Sequence, residues 1–154
     1  MILGLEPMSE FAARQLGALE LAYIGDCVWE CCVRERLITG GGGRMKALHR
    51  AAVSQVRASY QAGALLRLEG ALTETEAGVC RRARNAQSGS LPRHADPADY
   101  HAATALEALM GYLYLSGQDE RLRELAERAL SPEDGAKPGQ YTQGGHARCR
   151  QNPT

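Results

Sequence analysis

Apolar residues recur at spacings of three and four along most of the chain, and two stretches are apolar round most of their circumference. The first, ALELAYIGDCVWECCVRERL, covers residues 18–37. In it Leu19, Tyr23, Cys27 and Cys31 mark one ridge, and Leu21, Ile24, Val28 and Cys32 mark the next. The second, YHAATALEALMGYLYLSG, covers residues 100–117 and carries Leu106, Leu109, Met110, Leu113 and Tyr114. That period predicts helices, and helices apolar on nearly every side belong in the middle of a domain. Asp96, Pro97 and Asp99 mark the start of the second, with Pro at its first helical position, and Gly117 can stop it.

The remaining segments read as amphipathic. A helical pattern begins at Ser9 and breaks near Gly17. Gly40 to Gly43 form a flexible connection. From Met45 to about Leu68 the pattern predicts one or two helices, with Leu48, Ala52, Val56 and Tyr60 on one side and Lys46, His49, Arg50 and Arg57 on the other. Thr73 followed by Glu76 predicts a capping box that opens the next helix. That helix ends in RRARNAQSGS, and Asn85 to Ala95 read as loop. Asp119 to Leu130 form a last amphipathic helix with acids at its start. Residues 1–130 thus read as one domain, and from 131 to 154 Gly, Pro and polar residues read as a disordered tail. No strand pattern occurs, so the predicted fold class is all-α.

Each of the two apolar helices contains an acid near its centre, Asp26 in the first and Glu107 in the second. An ionised carboxylate in such surroundings is costly unless a cation or dense hydrogen bonding compensates it. Gly25 beside Asp26 lets another backbone approach closely. If the two acids face each other, repulsion raises at least one pKa unless a cation sits between them. Two carboxylates, completed by waters and a phosphate oxygen, suit Mg²⁺. That chemistry points to metal-dependent hydrolysis of a nucleic-acid backbone; the alternative is that both acids are structural hydrogen-bond acceptors.

Charge sharpens the picture. The chain has no formal net charge, yet residues 36–93 hold ten Lys or Arg against three acids. The rest holds eight against fifteen. Such asymmetry favours a polyanionic partner on one side, although arginines also decorate solvated helix faces. Five cysteines show no paired zinc-ligand spacing; Cys27 and Cys31, one turn apart, read as small buried apolar side chains. No apolar run approaches the roughly 20 residues of a membrane span. The absence of an export signal and the odd cysteine count point to a reducing cytoplasm.

The runs LAYIGDCVWECCVRERL, LHRAAVSQVRASYQAGAL, RRARNAQSGSLPRHAD and YHAATALEALMGYLYLSG resemble the Mini-ribonuclease III family, a branch of the ribonuclease III endonucleases, over roughly residues 9–130. The resemblance implies a compact all-helical homodimer that cuts double-stranded RNA with Mg²⁺, for which Mn²⁺ can substitute. It implies maturation of both ends of precursor 23S ribosomal RNA, with a large-subunit ribosomal protein as a candidate helper. By motif, the acid of the family's G-D pair is Asp26 and that of its E-A-L segment is Glu107, as catalytic and metal-binding residues.

Two departures stand out. The larger ribonuclease III enzymes carry further acids where this chain has Ala22 and Thr104, a thinning the Mini branch shares, so a sparse metal shell is expected. The chain also leaves no room for their separate RNA-binding domain, so recognition is expected from the catalytic domain itself. Arg81, Arg82, Arg84, Asn85, Arg93 and His94, on a helix end and the loop after it, are the first candidates for contacting A-form phosphates. Lys46, His49 and Arg50 are the second. Tyr23 and Trp29 are the candidate dimer contacts. Two rivals remain: a non-catalytic RNA-binding or ribosome-assembly protein on the same fold, and a plain helical interaction module.

Overall fold

A computed structural model describes residues 6–86 and 96–131 of the chain. Among these residues there are seven helices and no strand: α1 Glu10–Gln15, α2 Ala18–Thr39, α3 Met45–Gln55, α4 Ala58–Leu68, α5 Glu74–Arg84, α6 Pro97–Leu115 and α7 Asp119–Ala129. Helix α6 is the axis of the fold. It packs against α2, α4 and α5, and more lightly against α7 and α1. From Ala103 to Tyr114 every residue of α6 is buried except Glu107, which is half-buried. The start is fixed as the sequence predicts: the Asp96 carboxylate accepts from the Ala98 and Asp99 amides at 2.7 and 3.3 Å, and Pro97 takes the first helical position. Gly117, at φ +68°, ends the turn beyond it.

Helices α2 and α6 meet backbone to backbone. A Cβ on Gly25 would overlap the carbonyl oxygen of Glu107, and one on Gly111 would overlap the carbonyl oxygen of Leu21. Each glycine thus accepts the other helix's main chain, and no other residue fits either place. This contact brings Asp26, the neighbour of Gly25, to the level of Glu107.

The long segment after the glycines is two helices, broken at Val56 and Arg57. Trp29 Nε1 donates to the Gln55 carbonyl at 3.1 Å, tying the last turn of α3 to α2. At the head of α5 the capping box forms: Thr73 N–H donates to Glu76 Oε2 at 2.7 Å, and Glu76 N–H to Thr73 Oγ1 at 3.3 Å. Glu76 is buried, and Arg121 of α7 meets both its oxygens at 2.8 and 2.9 Å while also donating to the Ala71 carbonyl. The guanidinium and the cap hydrogen bonds hold the Glu76 carboxyl below its ordinary pKa against the opposing effect of burial.

Two expectations are overturned. Helix α2 is not apolar on all sides toward the core; it buries Leu21, Ala22, Gly25, Val28, Trp29 and Val33 and turns the Leu19, Tyr23, Cys27 and Cys31 ridge outward. Cys27 and Cys31 are therefore exposed, whereas Cys80 is buried and Cys32 half-buried, with thiol pKa values pushed up by burial to about 12 and about 11. Trp29 is fully buried within the chain and is unavailable as a dimer contact. The segment read as a tail lies outside the described residues from 132 onward.

Candidate active site

The site is built where α2, α4 and α6 come together. Asp26 sits at the rim of the buried face of α2, one turn after Ala22 and one turn before Trp29, and is exposed. Glu107 sits across the glycine contact on α6. Its carboxyl pKa is raised from an ordinary 4.5 to about 7, first by burial and further by the negative charge of Asp26; a hydrogen bond from Gln61 opposes both. Glu107 therefore feels the charge of Asp26, which is the condition a cation relieves.

Gln61 enters from α4. Its Nε2 donates to Glu107 Oε1 at 3.1 Å, and its side chain is buried at 2% exposure. Sequence reasoning missed it. The signal was present: Gln61, Ala64, Leu65 and Leu68 lie at one-turn spacing and all are buried, so a lone amide on that stripe marks a polar partner opposite.

The two positions without acids are occupied in a way that keeps them out of the chemistry. Ala22 is buried, and Thr104 is buried with its hydroxyl donating to the Tyr100 carbonyl of its own helix at 3.0 Å. Glu30, one turn beyond Asp26, is engaged by Arg34 at 2.7 Å. Among the described residues no group of three or more His, Cys, Asp and Glu gathers to hold a metal. A divalent ion placed here would meet two carboxylates, one exposed and one half-buried. That suits a hard cation that keeps several waters and accepts phosphate oxygens.

The basic candidates fall into two groups. Arg81, Arg82, Arg84 and Asn85 are exposed at the C-terminal end of α5, where cations also complement the helix dipole. Arg81 pairs with Glu74 at 3.0 Å and Arg82 donates to the Leu16 carbonyl at 3.3 Å. Lys46, His49 and Arg50 are exposed on α3. Arg93 and His94 lie outside the described residues. Part of the charge asymmetry is structural: Arg36 donates to the Glu127 carbonyl, and Arg67 meets the Ala129 carbonyl at 2.9 and 2.7 Å while lying over the Tyr60 ring.

Residues 19–118, which span this site, match the ribonuclease III domain. A Mini-ribonuclease 3 of Symbiobacterium thermophilum is 52% identical over 114 residues, 74% of this chain and 88% of that protein. A Mini-ribonuclease 3 of Brevibacillus brevis is 47% identical over 117 residues, 76% of this chain and 87% of that one. A crystal structure of a Fusobacterium nucleatum protein superposes with a TM-score of 0.68 at 28% identity, covering 78% of this chain and 94% of the other.

Proposed function

Because the chain belongs to the ribonuclease III family, in its Mini-ribonuclease 3 branch, we propose that it cleaves double-stranded RNA with Mg²⁺ at a site made by Asp26 and Glu107. Endoribonuclease action on double-stranded RNA is the family's activity. What supports the assignment to these two residues is their juxtaposition across the Gly25 contact, with the charge of Asp26 felt at Glu107.

The two carboxylates would hold the ion, which when bound supplies positive charge against the phosphate and acidifies water for the attack. Asp26, being exposed, is open to a duplex arriving from solvent. Glu107, whose pKa burial and the charge of Asp26 raise to about 7, would bind a cation in its deprotonated form, so cation binding would compete with its proton near neutral pH. Gln61 holds one Glu107 oxygen from the protein side. The family's reaction is hydrolysis, so water attacks the phosphorus and the bond to the leaving ribose oxygen breaks.

Arg81, Arg82, Arg84, Asn85, Lys46, His49 and Arg50, together with Arg93 and His94, are the proposed contacts to the RNA backbone. Such contacts are read by shape in A-form duplexes and weaken with salt. Residues 1–130 are the proposed catalytic unit, acting as a cytoplasmic homodimer on the ends of precursor 23S ribosomal RNA with a large-subunit ribosomal protein as helper; Mn²⁺ is the proposed substitute metal. The similarity to the Mini-ribonuclease 3 relatives supports the ribonuclease branch; the ribosomal substrate is what the resemblance to that family implies.

The test is incubation of the purified protein with a long RNA duplex, with and without Mg²⁺. Cleavage that requires the metal and is lost in Asp26→Asn and Glu107→Gln, while duplex binding persists, is the expected result. Binding without cleavage under all conditions would instead establish the RNA-binding, ribosome-assembly reading.

A further inference from the structure

Gln61 is a polar side chain where packing alone asks for none. It lies in the apolar stripe of α4 with Ala64, Leu65 and Leu68, at 2% exposure, against α6. Burying a primary amide is unfavourable unless its donors and acceptor are satisfied, and an unbranched apolar side chain of equal length would fill the same volume without that cost. What the amide adds is its donor, placed 3.1 Å from Glu107 Oε1.

A hydrogen bond to one carboxylate oxygen does two things. It fixes the rotation of the carboxyl group, and it leaves the second oxygen as the one offered outward. The charge state of the donor matters too. A lysine or arginine at this place would pair with Glu107 and cancel the negative charge a cation needs. A glutamate would add a third acid in a partly dehydrated site. A neutral amide orients the carboxylate without neutralising it.

We propose that Gln61 is a positioning residue for the cation site, holding Glu107 through Oε1 so that Oε2 is presented to a divalent ion beside Asp26. This rests on the reading of Asp26 and Glu107 as the cation-binding pair. Gln61 acts through Glu107 and touches neither RNA nor ion.

The experiment uses Mn²⁺ alone, without RNA, titrated into the full chain and followed by the electron paramagnetic resonance of the free ion. Four proteins are compared: wild type, Gln61→Met, Glu107→Gln and the double variant. Gln61→Met weakens Mn²⁺ binding by about tenfold in the wild-type background, the scale typical of groups that orient a ligand. In the Glu107→Gln background it has no further effect. In cleavage assays Gln61→Met raises the half-saturating Mg²⁺ concentration and leaves the KM for duplex RNA at saturating metal unchanged. Gln61→Leu is the second variant, used in the same cycle if Gln61→Met does not fold.

Equal Mn²⁺ affinity in wild type and Gln61→Met overturns the inference while leaving the cation site standing. So does a loss of the same size in both backgrounds, which would mark Gln61 as structural. A wild-type protein that binds no Mn²⁺ overturns the cation site and the inference with it.

Discussion

At Glu107 the raised pKa, about 7, is itself a statement about stability. In the unfolded chain the group ionises near its ordinary 4.5, and in the folded metal-free chain it holds its proton until about 7. Between those values the folded state binds more protons, so the stability present below the unfolded pKa is lost as pH rises through the window. Glu107→Gln, which keeps an acceptor for Gln61 and removes the charge, should therefore stabilise the metal-free protein at pH 8 by roughly 2 kcal/mol, after allowing for partial solvent screening. At pH 4 it should change little. Thermal melts of both proteins at the two pH values check this, and an equal shift at both would mean the charge is not what strains the site. Addition of Mg²⁺ at pH 8 should raise the melting temperature of the wild type and leave that of the variant where it was.

The same residue marks what a sequence can and cannot disclose. An acid inside an apolar periodic run is visible at once, and so is its cost, because period and composition are local properties. Gln61 leaves a local trace, a lone amide on an apolar stripe, but which group it serves, a carboxylate opposite on another helix, is a tertiary fact. Cys27 and Cys31 were misread for a related reason. Apolar character tells that a side chain avoids water, without telling whether its own chain or another molecule provides the cover.

Among the elements, the α2 and α6 pair depends on two glycines. Their role is legible at Gly25 from its place beside an acid in an apolar helix, while Gly111 gave no such sign. Adding a methyl at Gly25 puts it into the Glu107 carbonyl, which is main chain and cannot swing aside. The helices must separate, and the separation opens the core around Leu21, Leu106 and Met110. Gly25→Ala should cost about 3 kcal/mol, at the upper end for overpacking a rigid contact. It should also lower activity beyond the loss of folded protein, because the same displacement moves Glu107 from Asp26. Chemical denaturation together with cleavage rates per folded molecule separates the two effects. A variant of wild-type stability would show that the helices can slide without penalty. Capping is more local than this crossing: Asp96 with Pro97 and Thr73 with Glu76 form as predicted, since both partners lie within one turn. That Arg121 would lock Glu76 from another helix was invisible for the opposite reason.

For the whole molecule, the outward ridge of α2 ties the proposed dimer to the proposed chemistry. Tyr23 is 84% exposed and Leu19 42%, with Cys27 and Cys31 following at one-turn spacing. Tyr23 also stands one turn before Asp26 on the same helix. A two-fold contact is self-complementary, so every residue in it counts twice. If this ridge is the contact, the two copies of Asp26 flank it, and each serves one strand of a duplex crossing the axis. Tyr23→Asp removes two buried aromatic side chains from such an interface and inserts two charges. Losing about 1.5 kcal/mol or more from each copy weakens association at least about 100-fold. Sedimentation should then show monomers at concentrations where the wild type is dimeric. Because Tyr23 does not enter the core, the variant should keep its helical content and its melting transition should move little beyond the effect of dissociation. The cleavage products discriminate further. A dimer cuts both strands in one encounter, whereas a monomer presents one site, so the variant should accumulate nicked duplex ahead of double-strand breaks. An unchanged mass together with unchanged products would remove Tyr23 from the interface and return the ridge to the question of what else covers it.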